Sequence, residues 1–127
     1  LFDVFTEYYS PKEVARMIDE QVIEISPLAF MRGRTFKDSW IVADEMQNAT
    51  PGQMKMLLTR LGEGSKIVVT GDTRQADRSN NDNGLLGFKG LVEAYQQSKY
   101  VAGVEFESRD IARHPAVREI LSIYGEI

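Results

Sequence analysis

The stretch Trp40-Ile-Val-Ala-Asp-Glu45 decides the fold, because it joins a short apolar run to two adjacent carboxylates. Its first four residues are apolar, which is too few for a helix and suits a buried strand. Asp44 and Glu45 then lie where that strand ends. In open parallel α/β sheets, ligands bind at the carboxyl ends of the strands. The pattern therefore predicts an acidic site at one edge of a parallel sheet.

An apolar strand that runs into Asp-Glu has the form of the Walker B motif of nucleotide hydrolases. In that motif the first acid, here Asp44, holds Mg²⁺, and the second, here Glu45, orients or deprotonates the attacking water. A buried strand that simply meets an acidic turn is the alternative. Gln47 and Asn48 follow directly, and their amides either position water or a γ-phosphate or serve as ordinary turn and cap groups.

A second strand signal lies in Lys66-Ile-Val-Val-Thr-Gly-Asp72, where three β-branched apolar residues precede Thr-Gly-Asp. It predicts a buried strand that ends at the same sheet edge as Asp44. In helicase-like motors a strand ending in Gly-Asp-x-x-Gln places its glutamine, here Gln75, beside the γ-phosphate. Asp72 and Gln75 are alternatively residues of a simple turn. The polar run at 76–84 is predicted to be an irregular, mobile loop.

Three arginines are candidate phosphate ligands. Arg32 and Arg34 flank a glycine on a predicted turn, where two guanidinium groups can grip the phosphates of a nucleotide or a nucleic acid. Solvated loop charges are the alternative for both. Arg113 precedes the proline that is predicted to start the last helix, and it is a candidate arginine finger or γ-phosphate sensor. An ion pair with a neighbouring acid explains Arg113 equally well.

The remaining segments predict alternating helices and strands. Two helix starts combine an N-capping side chain with a proline in the first turn, at Ser10-Pro11 and at Thr50-Pro51. The other predicted elements are strands at 22–25 and 100–106 and helices at 84–97 and 108–127, the last with its main part beginning at Pro115.

Composition limits the class of protein. The 127 residues are 43% hydrophobic, which suffices for one domain with a real core. The net charge of −4 and the pI near 5.0 argue against a generally basic nucleic-acid binder, although a local basic patch stays open. With no cysteine and one histidine, a disulfide framework, a thiolate zinc site and a multi-histidine metal site are excluded. No long apolar stretch and no signal peptide occur, so a cytosolic protein is expected.

Taken together, these segments resemble the PhoH family of P-loop ATPases. The resemblance is carried by IEISPLAFMRGRT at 23–35, by IVADEMQNATPGQMKMLLTRLGEGSKIVVTGDTRQAD at 41–77 and by RDIARHP at 109–115. It implies a three-layer α/β fold with a mostly parallel RecA-like sheet, ATP and Mg²⁺ as cofactors, and a cytoplasmic location, in the host cytoplasm if a phage encodes the chain. It also implies a link to phosphate starvation and, for some members, action on RNA.

The resemblance assigns roles by matched position. Asp44 and Glu45 are the Walker B pair, with Asp44 on the metal. The resemblance adds Gln75, Arg32, Arg34 and Arg113, whereas Gln47 and Asp72 come from their positions after the two strands. The candidate catalytic residues are thus Glu45, Gln75 and Arg113, and the candidate nucleotide-binding residues are Asp44, Gln47, Asp72, Arg32 and Arg34. Single-stranded RNA is an expected partner, as are further copies in a ring of the full-length protein, where Arg113 acts either within its own chain or on a neighbour's site.

One departure from the family is severe. No G-x-x-x-x-G-K-[ST] motif, the phosphate-binding Walker A loop, occurs in the 127 residues. In the RecA-like order the P-loop strand lies between the strands at 66–70 and 100–106, so its absence leaves two apolar strand edges without partners. We therefore expect residues 1–127 to be a single domain, the C-terminal portion of an ATPase, that is inactive alone. An RNA-binding helicase-associated module and a catalytically inactive oligomeric scaffold are the alternatives.

Overall fold

The computed structural model describes residues 1–75, 82–110 and 112–126. Those ranges contain α-helices and a parallel sheet, so the chain is an α/β protein. The five helices are α1 (Phe2–Tyr8), α2 (Pro11–Asp19), α3 (Pro51–Leu58), α4 (Gly84–Ala94) and α5 (Pro115–Ile123), and the two strands are β1 (Trp40–Ala43) and β2 (Lys66–Val69). None of these helices is long and apolar enough to span a bilayer. The chain divides into two compact units, residues 1–88 and residues 89–127.

The two strands form a parallel pair, as the sequence predicts. Trp40 lies opposite Lys66 at one end of the pair, and Ala43 lies opposite Val69 at the other. Both strands therefore end at the same edge, where the acidic residues follow β1. Because of this register, the residues that follow β1 and those that follow β2 lie close enough to form one site.

The core of the first unit joins one face of the sheet to α3. Met54 and Leu57 on α3 are almost fully buried, and their spacing of three residues places them on one side of the helix. The other buried members of this core are Met31, Ala43, Met46 and Ala49. Because Met46 and Ala49 belong to the connection that follows the acidic pair, the core anchors that connection directly.

The opposite face of the sheet is uncovered in the described part of the chain. Trp40 is 72% exposed, and Val42 and Val68 are also exposed. Side chains alternate along a strand, so these residues share the face that points away from α3. The Lys66 ammonium lies 5.3 Å from the centre of the Trp40 ring on this same face. Strands of parallel sheets are ordinarily buried on both faces, so this face is suited to contact with a further layer.

The predicted helix starts are confirmed. The Ser10 hydroxyl accepts the Glu13 N–H at 3.2 Å. Thr50 and Gln53 form both hydrogen bonds of a capping box, at 3.1 and 2.9 Å, with Pro51 in the first turn. The predicted helices at 84–97 and from Pro115 correspond to α4 and α5. Local capping chemistry was therefore sufficient to place the starts of α2 and α3.

Two predicted strands are wrong. Residues 22–25 form bends and irregular backbone after α2, and residues 100–106 form no strand, with Tyr100 93% exposed. An extended apolar segment becomes a strand only when a neighbouring backbone pairs with it. No such neighbour is present for either segment in the described ranges. The described residues thus form a two-stranded parallel sheet with helices, and the three-layer RecA-like sheet stays a prediction.

Candidate functional site

The ends of β1 and β2 bring Asp44 into contact with Thr70. The Thr70 N–H donates to the Ala43 carbonyl at 2.9 Å, and the Met46 N–H donates to the Thr70 carbonyl at 2.9 Å. The Thr70 hydroxyl donates to Asp44 Oδ1 at 2.5 Å. The Asp44 side chain is exposed, and no residue in the described ranges bonds its Oδ2. One carboxylate oxygen is therefore fixed by the neighbouring strand, and the other is open to a ligand.

Glu45 has a left-handed backbone, with φ of 58° and ψ of 46°. A residue with a Cβ atom pays on the order of 1–2 kcal/mol for this conformation. Two contacts hold it there. Its N–H lies 3.4 Å from the Thr70 hydroxyl oxygen, and its Oε2 accepts a hydrogen bond from Gln47 Nε2 at 2.8 Å. Gln21 and Asp38 have the same left-handed backbone, so the conformation alone assigns no role to Glu45, and its catalytic role stays a prediction.

Gln47 connects the acidic pair to the end of β2. Its side chain is buried, with 6% exposure, and both ends of its amide are used. Nε2 donates to Glu45, and Oε1 accepts the Asp72 N–H at 3.3 Å. Gly71 makes this approach possible, because a Cβ there would lie 3.1 Å from Gln47 N and 2.6 Å from a methyl carbon of Leu85. Gln47 thus makes structural contacts, and its nucleotide-binding role stays a prediction.

Asn83 is a member of this site that sequence reasoning missed. Its side chain is 0% exposed, and its Nδ2 donates to the Gln47 carbonyl at 2.8 Å. Residue 83 lies in the polar run predicted to be a mobile loop. At this end the prediction is wrong, because Asn83 is buried and Gly84 begins α4; residues 76–81 lie outside the described ranges. The available signal was an asparagine directly before a helix, the preferred N-cap residue.

Asp72 opens a short 3-10 turn at Thr73–Gln75. Its Oδ1 accepts the Arg74 N–H at 3.0 Å and lies 3.4 Å from Arg74 Nε, which is the usual local chemistry of an aspartate at a turn. Gln75 ends this turn, soon after β2. Nucleotide binding by Asp72 and γ-phosphate sensing by Gln75 stay predictions.

The two arginines of the Arg-Gly-Arg turn have different surroundings. Arg34 forms a bidentate ion pair with Glu24, with N–O distances of 2.6 and 3.1 Å, and its guanidinium carbon lies 4.5 Å from the centre of the Phe36 ring. These hydrogen bonds hold the pKa of Glu24 below its usual value. Arg32 is exposed and has no partner in the described ranges. It lines a concavity of about 390 Å³ together with Leu28, Ala29, Gln53 and Met56.

Arg113 belongs to the second unit, where it directly precedes the start of α5. Its side chain is exposed. The neighbouring His114 caps α5, because its Nδ1 accepts the Ala116 N–H at 3.1 Å, and Pro115 occupies the first turn. The histidine is thus a structural residue, and a catalytic role for Arg113 stays a prediction.

The oxygen donors at the sheet edge fit a magnesium ion. Mg²⁺ commonly takes one or two protein carboxylates and completes its shell with water and nucleotide phosphates. Asp44 and Glu45 offer such carboxylates, although no group of three or more metal-binding side chains occurs within residues 1–75, 82–110 and 112–126. Binding the phosphates of ATP also requires the backbone nest and the lysine of a P-loop. This sequence contains no P-loop motif.

Comparison with known proteins finds relatives along the whole chain. The family model described as PhoH-like protein matches residues 1–125. A PhoH-like protein of Synechocystis is 42% identical over 127 residues, which cover 98% of this chain and 37% of the relative. A PhoH-like protein of Bacillus subtilis is 41% identical over 130 residues, covering 99% and 39%. Protein PhoH of Escherichia coli is 38% identical over 103 residues, covering 81% and 28%.

The chain spans well under half the length of these curated relatives. The match nevertheless includes both strands, the acidic pair and the Gly-Asp-x-x-Gln turn, since it covers residues 1–125. The chain belongs to the PhoH family.

Proposed function

We propose that this chain forms the carboxylate-bearing part of the ATP-hydrolysing site of a PhoH-like P-loop ATPase. The observation that carries the proposal is the contact at the shared end of β1 and β2, where Thr70 holds Asp44 and Gln47 holds Glu45. Both carboxylates are therefore oriented before any ligand arrives. Groups oriented in advance lower the reorganisation that a reaction requires.

Each side chain has one proposed task. Asp44 offers its open oxygen to the Mg²⁺ that accompanies ATP. When bound, the metal neutralises and aligns the phosphates. Glu45 keeps one oxygen on Gln47 and uses the other to take the proton of the attacking water. Gln75 completes the site by contacting the γ-phosphate, and Arg113 contacts the γ-phosphate bound to a neighbouring copy of the chain.

The uncovered face of the sheet supports a larger, three-layer RecA-like fold. β2 has β1 on one side and no strand on the other among the described residues, and Trp40, Val42 and Val68 are exposed on one face. A P-loop strand beside β2, with its helix over that face, would pair the free backbone and bury the apolar side chains. We propose that such a segment, from outside these 127 residues, brings the phosphate-binding loop.

A chimera tests the proposal. The region of the Bacillus subtilis PhoH-like protein that aligns with this chain is replaced by residues 1–127, so that the relative contributes the P-loop expected of the family. We expect the chimera to hydrolyse Mg²⁺-ATP. Glu45→Gln should reduce turnover by about 100-fold or more, the typical contribution of a general base, and should leave binding of a fluorescent ATP analogue intact.

Glu63→Gln is the matched control, because Glu63 is an exposed carboxylate on the connection before β2. Its turnover should equal that of the unmodified chimera. Equal turnover in the Glu45→Gln chimera would refute the assignment of the base. Turnover by the isolated 127-residue chain, lost in Glu45→Gln, would refute the need for a P-loop segment.

Association with single-stranded RNA is a second candidate function, favoured by Arg32, which is exposed and has no partner among the described residues. A guanidinium in this state can bind a phosphate, whereas that of Arg34 is engaged by Glu24. Arg32→Ala should lower the slope of log affinity against log salt by about 0.7 per lost contact with a single strand. Arg34→Ala should leave the slope nearly unchanged. Identical slopes for the unmodified and Arg32→Ala chimeras would contradict an RNA contact at Arg32.

A further inference from the structure

Asn83 makes more hydrogen bonds than a helix cap requires. Its Oδ1 accepts the N–H groups of Leu85 and Leu86 at 3.0 and 3.1 Å, which satisfies the start of α4. Its Nδ2 donates in addition to the carbonyl of Gln47, 36 residues earlier in the sequence. Because capping uses only the acceptor, the bond made by the donor has a separate role. That bond ends on the residue that holds Glu45.

Gln47 transmits this contact to the acidic pair. The Asn83 bond fixes the peptide group of Gln47 at 2.8 Å. The side chain that extends from the same residue donates to Glu45 Oε2 and accepts the Asp72 N–H. Loss of the Asn83 bond would therefore loosen both side-chain bonds at once.

The start of α4 is docked tightly against the turn that contains Gln47. The Gly84 N–H donates to the Ala49 carbonyl at 2.7 Å. A Cβ atom on Gly84 would lie 2.7 Å from the carbonyl carbon of Thr50 and 3.0 Å from the carbonyl oxygen of Ala49. Only glycine permits this approach. The N-terminus of α4 and the turn at Met46–Asn48 are thus held in a fixed relation.

We propose that Asn83 is a positioning residue for Glu45, acting through Gln47, so that the docking of α4 sets the orientation of the catalytic carboxylate. Where it concerns catalysis, this inference rests on the proposed function. Where it concerns the hydrogen bonds, it rests on geometry alone. The two parts are therefore tested by different measurements.

Asn83→Asp and Asn83→Ser separate positioning from capping. Both side chains keep an acceptor for Leu85 and Leu86. An ionised aspartate has no donor, and the serine hydroxyl oxygen lies one bond short of the position from which Asn83 Nδ2 reaches the Gln47 carbonyl. In the chimera we expect kcat to fall about tenfold with KM for ATP unchanged. Amide exchange at Asp72 should become about tenfold faster in this chain and in the chimera, while Leu85 and Leu86 stay protected. Serine controls for the charge that aspartate adds.

Gln47→Glu tests the hydrogen bond from Gln47 Nε2 to Glu45 Oε2. Glutamate keeps the acceptor for the Asp72 N–H but cannot donate to Glu45, so kcat should fall about tenfold while exchange at Asp72 stays slow. Gln97→Glu adds the same charge at an exposed position and should change neither quantity.

The proposal is overturned if Asn83→Asp and Asn83→Ser retain normal kcat and normal Asp72 exchange while Asn83→Ala does not, because Asn83 is then only a cap. An unmodified chimera without ATP turnover would instead count against the proposed function. In that case exchange at Asp72 still decides whether Asn83 holds Gln47 in place.

Discussion

At the scale of single residues, Glu45 has a backbone conformation that glycine adopts without strain. Its φ of 58° costs a residue with a Cβ atom on the order of 1 kcal/mol. Glu45→Gly and Glu45→Ala both remove the hydrogen bond from the buried Gln47, but only glycine relieves the left-handed backbone. The free energy of unfolding of Glu45→Gly is therefore expected to be about 1 kcal/mol higher than that of Glu45→Ala. Urea unfolding of the two variants measures the difference. A free energy of unfolding in Glu45→Gly no higher than in Glu45→Ala would show that position 45 stores no strain.

Gly71 allows Leu85 and Gln47 to pack closely against its Cα atom, whereas in the described part of the chain no side chain or backbone group packs against Gly87. A Cβ on Gly71 would lie 2.6 Å from a methyl carbon of Leu85, so Gly71→Ala should destabilise the fold by about 1–3 kcal/mol through overpacking. Gly87 lies within α4 with nothing within 4 Å of its added Cβ. Gly87→Ala should stabilise by about 0.5–1 kcal/mol, because alanine favours helix. Thermal unfolding of the pair checks both signs, and equal shifts would contradict the close contact.

The sequence identifies some residues of the site and misses others for one physical reason. Asp44, Glu45 and Gln47 follow an apolar strand directly, so their location is contained in a local pattern. Asn83 lies in a polar run that indicates a loop, and its burial arises from a contact with residue 47. Arg34 is similar, since its partner Glu24 is ten residues away. Side-chain partners of this kind are set by the tertiary fold.

At the scale of elements, segments with their own start signals were predicted correctly. The capping box at Thr50 and Gln53 is local, and α3 begins where it indicates. The strands predicted at 22–25 and 100–106 have suitable composition but no pairing neighbour in the described ranges. Strand formation depends on that neighbour, so composition alone overestimated the sheet.

The ion pair of Glu24 and Arg34 joins the irregular segment after α2 to the turn before β1. Hydrogen bonding from Arg34 lowers the pKa of Glu24 in the folded chain from its usual 4.5. The resulting stabilisation is present above the unfolded-state pKa and is lost as the pH falls through the lowered, folded-state value.

Glu24→Gln should therefore be less stable than the unmodified chain at neutral pH and equally stable well below the lowered pKa. Urea midpoints across that range measure the difference, with Glu63→Gln as the control for loss of an exposed carboxylate. A stability difference that persists at acidic pH would show that the charge of Glu24 is not its cause.

At the scale of the whole molecule, the single tryptophan reports on the uncovered face of the sheet. Trp40 is 72% exposed, so its fluorescence in this chain should resemble that of tryptophan in water and should be quenched readily by iodide. In the chimera, with any other tryptophans replaced, a helix over this face should shift the emission to shorter wavelength and reduce quenching. Unchanged emission would contradict the proposed third layer.

The α/β class and the parallel contact between the two strands followed from the sequence, because each strand carries its own apolar run and ends in a polar turn. The three-layer sheet is a proposal and cannot be derived from these residues in the same way. Its central strand would come from a P-loop segment that these 127 residues do not contain. The segment that pairs with a sheet edge or covers a sheet face is encoded by its own sequence. The sequence of the two strands therefore cannot specify it.

The left-handed backbone at Glu45 finally limits how the turn after β1 can rearrange. A return of Glu45 to an extended or helical backbone would redirect its Cβ atom and carry its carboxylate away from Gln47. The same movement would separate its N–H from the Thr70 hydroxyl, which also holds Asp44. Relaxation of this one residue would therefore disturb both acidic side chains together.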